Sequence, residues 1–153
     1  MRQICLSTLV LASLMLSACG DAAKDTHPKQ LVSQRLAIFK KFTKTLEPMG
    51  LVARDRKDFV KSEFMASALA LQELSTQPWA LFSADGNYPP TRAKPEVWSK
   101  AEAFKQAQDS YLSAVNQLVK VSDGVDMDAL RSAVDAVQKN CKSCHETFRS
   151  EQR

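Results

Sequence analysis

Cys141, Lys142, Ser143, Cys144 and His145 bring two thiols and an imidazole into five consecutive positions near the end of a 153-residue chain. Four kinds of chemistry use such groups. They can form a disulfide, contribute to a zinc centre, act as a redox dithiol, or attach a haem covalently through two thioethers. The choice depends on further ligands, on local backbone structure and on the redox compartment.

The compartment is read from the N-terminus. Arg2 precedes an apolar run from Ile4 to Leu16, interrupted only by Ser and Thr. Its 13 residues suit a secretory signal and fall short of the ~20 that span a bilayer. The run closes on Leu16, Ser17, Ala18 and Cys19. Small residues before a cysteine match a bacterial lipobox, in which Cys19 carries lipid and begins the mature chain. An ordinary cleavage near Ala18 is the alternative, and both routes lead out of the cytoplasm. Gly20, in place of Asp, favours the outer membrane among the two bacterial membranes. The expected organisation is a signal peptide over 1–18, a tether over 19–28 and one domain over 29–153.

Cysteine use then narrows the question. Cys5 leaves with the signal and Cys19 carries lipid, so only Cys141 and Cys144 remain for the folded domain. Loss of Arg2 leaves 20 basic against 17 acidic residues, a net +3. That charge is small, and no basic cluster is interleaved with aromatics, so nucleic acid is not an expected partner. No nucleophile triad, phosphate-binding loop or pair of catalytic carboxylates stands out, so an enzyme is not expected.

The elements that must position the motif read as helices, since no stretch alternates in the manner of a half-buried strand. Segment A, 29–46, carries Leu31, Val32, Leu36, Phe39, Phe42 and Leu46 on one stripe, and Pro48 with Gly50 is expected to end it. Segment B, 55–77, has a broad apolar face and stops at Pro78. A Pro- and Gly-containing connection follows. Segment C, 95–121, places Trp98, Phe104, Tyr111, Val115 and Leu118 inward. Segment D, 126–149, starts at a capping Asp126 and steps through Leu130, Val134, Val137, Cys141, Cys144 and Phe148. Four amphipathic helices predict an all-α, antiparallel four-helix bundle, with the motif near the C-terminal end of its last helix.

On that helix Cys144 lies about 300° and His145 about 40° from Cys141, so all three project from one side. A structural zinc site wants four ligands, and only His27 remains to complete it. A thioredoxin-like pair opens a helix in a βαβ unit, whereas this pair closes one. A disulfide between neighbouring turns is strained and leaves His145 without a role. Cys141 and Cys144 as thioether positions, with His145 as axial ligand of the iron, make use of every group. One covalently bound haem c is the expected cofactor.

Several stretches together resemble cytochrome c′, the class II c-type cytochromes: Arg35 and Phe39 in segment A, "PWALF" at 78–82, "AKPEVWSKAEAFK" at 93–105 and "CKSCHETFR" at 141–149. The resemblance spans about residues 31–149. It implies that Arg35 lies near a haem propionate, that Leu36 and Phe39 line the pocket with Phe39 covering the distal face, and that Arg149 stands beside the proximal histidine. Arg92 aligns more loosely with a position near the propionates. Segment A contains no methionine or histidine to serve as a sixth ligand; Met49 follows Pro48, and Met65 is on segment B. The resemblance therefore implies a five-coordinate, high-spin haem that binds small gases such as NO and CO and sequesters nitric oxide. A low-spin carrier of electrons to or from a partner protein is the alternative reading. Relatives also pair as homodimers through their first two helices, which the Lys40, Lys41 and Lys44 face of segment A would oppose.

Overall fold

The computed structural model describes residues 24–151. The signal peptide, Cys19 and the first part of the tether lie outside the described residues. Helix α1 covers Leu31–Ala53, α2 Lys61–Ser75, the single turn α3 Glu96–Ser99, α4 Ala101–Ser122 and α5 Met127–Phe148. The four long helices pack in the cyclic order α1, α2, α4, α5, each against the next, as short up-and-down connections dictate. Met49, Leu71, Val115, Leu118, Leu130, Val134 and Val137 fill the centre and are almost wholly buried. They are the inward residues of the helical stripes, one from each turn that faces the bundle axis.

Two boundaries differ from the sequence reading. Helix α1 continues through Pro48 and Gly50 for seven residues beyond Leu46. Pro48 removes one main-chain hydrogen bond, but Met49 and Val52 are buried on that extension, and their burial outweighs the loss. Gly50 allows α5 to approach closely, since a Cβ there would stand 3.0 Å from Gln138 Nε2. The real stop comes at Asp55, with φ of 55°. The Asp55 N–H donates to Val52 O at 3.0 Å and the Arg56 N–H to Leu51 O at 2.9 Å, the paired bonds of a Schellman cap. Helix α2 consequently starts at Lys61 rather than near residue 55. Segment C is also divided, because Lys100, with φ −121° and ψ 50°, leaves helical geometry between α3 and α4.

Helix α5 agrees closely with segment D. The Asp126 carboxylate accepts hydrogen bonds from the Asp128 and Ala129 N–H groups at 3.0 and 3.1 Å, capping the first turn.

The long connection between α2 and α4 contains two short 3-10 turns, Trp79–Phe82 and Ala84–Gly86. The segment before α1 is fastened to it. Asp25, buried, accepts from the Ser33 N–H at 2.9 Å and from the Tyr88 hydroxyl at 3.3 Å. His27 stacks on Tyr88 with ring centres 4.2 Å apart, and Lys29 pairs with Asp85 at 2.6 Å.

Candidate haem site

The last two turns of α5 carry Cys141, Cys144, His145, Phe148 and, just past the helix, Arg149. Both cysteines are unpaired and half-buried. Cys141 packs against the main core, and Cys144 against the smaller cluster of Val97, Phe104 and Phe148. Small side chains on α4, Ala103, Ala107 and Ser110, leave an open groove of about 280 Å³ beside Cys144. Burial pushes the Cys141 thiol up to about 11, helped by Cys144, and burial also raises Cys144. Both remain thiols at neutral pH, which opposes a reactive dithiol. Among the described residues, no three His, Cys, Asp or Glu side chains converge on a metal position.

His145 is solvent-exposed on the same side of the helix. Its Nδ1 lies 3.4 Å from Arg149 Nη1. Partial desolvation, followed by the charges of Arg149 and Arg92, lowers its pKa below the ordinary imidazole value. A neutral imidazole is the form that ligates iron, so this environment suits an axial ligand.

The end of α5 is held by the strand-like stretch 92–94. The Lys94 N–H donates to Phe148 O at 2.9 Å and Lys94 Nζ to Glu146 O at 2.8 Å, satisfying carbonyls that the helix terminus leaves open. Arg92 Nη2 donates to Ser150 O at 2.7 Å, and Ser150 N–H returns a bond to Arg92 O at 2.8 Å. Arg92 therefore sits beside the motif, near enough to His145 and Arg149 to depress both.

An aromatic wall runs from this end to α1. Phe148 meets Phe104 at 5.2 Å, Phe104 meets Phe82 at 5.1 Å, and Phe82 meets Phe39 at 6.3 Å. Trp79 adjoins Phe39, Phe82, Phe104 and Tyr111. Its indole N–H is committed to Ser75 O at 2.7 Å. Phe39, Phe104, Tyr111 and Phe148 read as core residues from helical spacing, whereas Trp79 and Phe82 fall in the connection after segment B. Their joining into one wall depends on the path of the 76–95 connection, which no periodicity encodes.

Arg35 is 4% exposed. Its Nη1 donates to Leu81 O at 2.8 Å, and its Nη2 donates to Gly86 O at 3.1 Å and Thr91 Oγ1 at 2.8 Å. The guanidinium also lies 4.4 Å above the Phe82 ring. Among the described residues no carboxylate lies within ion-pair distance of it. Gly86 is required here, because a Cβ would stand 2.7 Å from Arg35 Nη1 and 2.6 Å from Leu81 O. Phe39 is partly buried against the core, whereas Leu36 is 54% exposed. Arg35 and Phe39 thus meet at Phe82, while Cys141, Cys144, His145, Arg149 and Arg92 gather at the end of α5.

The residues fit a haem. Two thiols rim an aromatic wall and an imidazole adjoins them. Among the described residues a buried guanidinium has no ion-pair partner, which a propionate would supply, and the Tyr111 hydroxyl is buried without a hydrogen-bond partner. A four-helix bundle with this motif on its final helix defines a c-type haem protein of the helical-bundle class.

Comparison with known proteins agrees. The Cytochrome C′ family model matches residues 30–149. The cytochrome c′ of Alcaligenes xylosoxydans xylosoxydans is 30% identical over 125 residues, covering 80% of this chain and 94% of that protein. That of Halomonas halodenitrificans is 28% identical over 131 residues, covering 82% and 99%. Among solved structures, a ferrous variant of cytochrome c′ from Alcaligenes xylosoxidans with bound NO superposes with a TM-score of 0.77 at 27% identity, covering 84% of this chain and all of that one. A carbon-monoxide-bound variant from the same organism also gives 0.77, at 28% identity and the same coverage. The chain belongs to the cytochrome c′ family, and its cofactor is covalently bound haem c.

Proposed function

We propose that this chain is a gas-binding haem protein of the bacterial periplasmic side, lipid-anchored through Cys19, which takes up NO and CO and sequesters nitric oxide. Cys141 and Cys144 hold the haem by thioethers, and His145 is its only protein ligand. The haem supplies an iron at which a diatomic gas binds, and the residues decide what reaches it. The observation that carries this reading is Phe39. Its ring is fixed between Phe42, Trp79 and Phe82 on the core side of the motif, and it has no atom that can ligate iron.

The methionines support the same reading. Met49 is 1% exposed and packed in the core, ten residues or about 15 Å along α1 from Phe39. Met65 is on α2. A low-spin electron carrier would need an axial methionine or histidine, and Met49 and Met65 are the methionines nearest segment A in sequence.

Each remaining residue has a role that follows from its chemistry. Arg35, buried and without an anion, neutralises a propionate while its other donors hold the 81–91 connection. Arg149 keeps His145 neutral by charge and stands beside its ring. Arg92 adds positive charge at the same edge. Phe39, with Trp79 and Phe82, excludes water from the gas side. Binding and release, with no turnover of a substrate, is the whole of the proposed chemistry.

Optical spectra of the holoprotein test this. The expected ferric spectrum is five-coordinate and high-spin, with CO and NO each changing the ferrous form. A six-coordinate low-spin ferric spectrum would overturn the proposal.

A further inference from the structure

The Tyr111 hydroxyl is the one buried side-chain polar atom without a hydrogen-bond partner among the described residues. Tyr111 is 5% exposed. A phenol in that position gives up its hydrogen bonds to water and receives none in return. Phenylalanine would bury the same ring without that loss, so the hydroxyl implies an acceptor that the chain itself does not provide.

Its neighbours say where that acceptor belongs. The Tyr111 ring stacks on Phe42 at 5.6 Å and meets Trp79 edge to face at 6.1 Å. Phe42 and Trp79 also flank Phe39, at 5.3 and 6.2 Å. Tyr111 on α4 and Phe39 on α1 therefore flank the same two rings, Phe42 and Trp79. The phenol is also near Cys141, and burial together with that thiol pushes its pKa well above the ordinary tyrosine value. It stays protonated and can only donate or accept as a neutral hydroxyl. Phe39, Phe42, Phe82 and Phe104 carry no donor, and the Trp79 N–H is already used. Tyr111 is the free donor of this wall.

We propose that Tyr111 donates a hydrogen bond to the diatomic gas bound on the core side of the haem, and so biases the site towards bent, polarisable ligands such as nitric oxide over CO. This inference rests on the gas-binding reading above. It changes the expectation drawn from Phe39 alone, which makes the pocket purely apolar.

The test compares ferrous holoprotein of the wild type, Tyr111→Phe and, as a control, Tyr88→Phe. Tyr88 donates its hydroxyl to Asp25, away from the Phe42 and Trp79 rings that flank Tyr111. The readouts are the C–O stretching frequency of the CO form and the rate of NO release. Removing the donor should raise the C–O stretch and speed NO release roughly fivefold, the scale of one neutral hydrogen bond, with Tyr88→Phe unchanged. Identical frequency and rate in Tyr111→Phe would overturn the proposal, as would an equal change in Tyr88→Phe. If the wild type binds neither gas, the gas-binding reading fails and takes this inference with it. If it binds them and Tyr111→Phe behaves as wild type, only this inference fails.

Discussion

Arg149 Nη1, four residues on and just past the end of α5, stands 3.4 Å from His145 Nδ1. The contact sets a cation against the imidazole, which lowers the imidazole pKa after desolvation has already done so. The sign follows directly. The folded histidine binds its proton less readily than the unfolded one, so stability is complete above the unfolded value near 6.5 and falls as pH drops below it. Arg149→Gln removes the charge and raises the pKa. Loss of His145 as the proposed axial ligand in acid, followed by the Soret band, is expected at higher pH in the variant than in the wild type. An unchanged acid midpoint would show that Arg149 has no electrostatic hold on His145.

The two thiols are expected to act separately. Protein made with a haem-ligation system should carry the mass of one haem. Cys141→Ser or Cys144→Ser should leave a single thioether, and the double variant none. Acid-acetone extraction then removes haem from the double variant alone, with intact mass as the direct measurement.

Phe39→Leu shortens the side chain proposed to crowd the gas side. The expected result is CO association about tenfold faster, equivalent to ~1.4 kcal/mol of relieved opposition, measured by stopped flow. Phe39 is only partly buried, so the change should cost about 1 kcal/mol of folding stability. A CO rate equal to wild type would place Phe39 away from the ligand.

Arg35→Met keeps length and apolar contact but removes three hydrogen bonds to the 81–91 connection. It leaves buried acceptors unsatisfied, and chemical denaturation should show a loss of roughly 3 kcal/mol. If Arg35 also neutralises a propionate, the haem reduction potential should fall in the same variant. A stability loss with an unchanged potential would restrict Arg35 to holding the connection.

Helix α5 was readable in full because its stripe and its cap are local. Leu130, Val134 and Val137 repeat at helical spacing, and Asp126 bonds to N–H groups two and three residues away. The thiol and imidazole positions came with them. The end of α1 was not readable, because Pro48 and Gly50 are helix breakers only until Met49 and Val52 find a core to enter. That core is supplied by other helices. The family resemblance singled out Arg35, yet two of its three acceptors are carbonyl oxygens of a connection 46 or more residues away. Backbone atoms have no signature in the sequence. Tyr111 was visible as a core ring, but the isolation of its hydroxyl depends on what every neighbouring helix fails to offer.

The fastening of Asp25 and His27 to Tyr88, and of Lys29 to Asp85, also decides how the molecule can stand. The chain enters the bundle at the connection that Arg35 grips, which is stitched through residues 92–94 to the end of α5. Under the lipid-anchor proposal, only five chain steps separate Cys19 from Lys24, a reach of about 18 Å at full extension. An anchor so short, leaving from that end, would hold the start of α1, and with it the end of α5, close to the bilayer. Orientation would then be a property of the leash, and a gas arriving through the lipid would meet the site first.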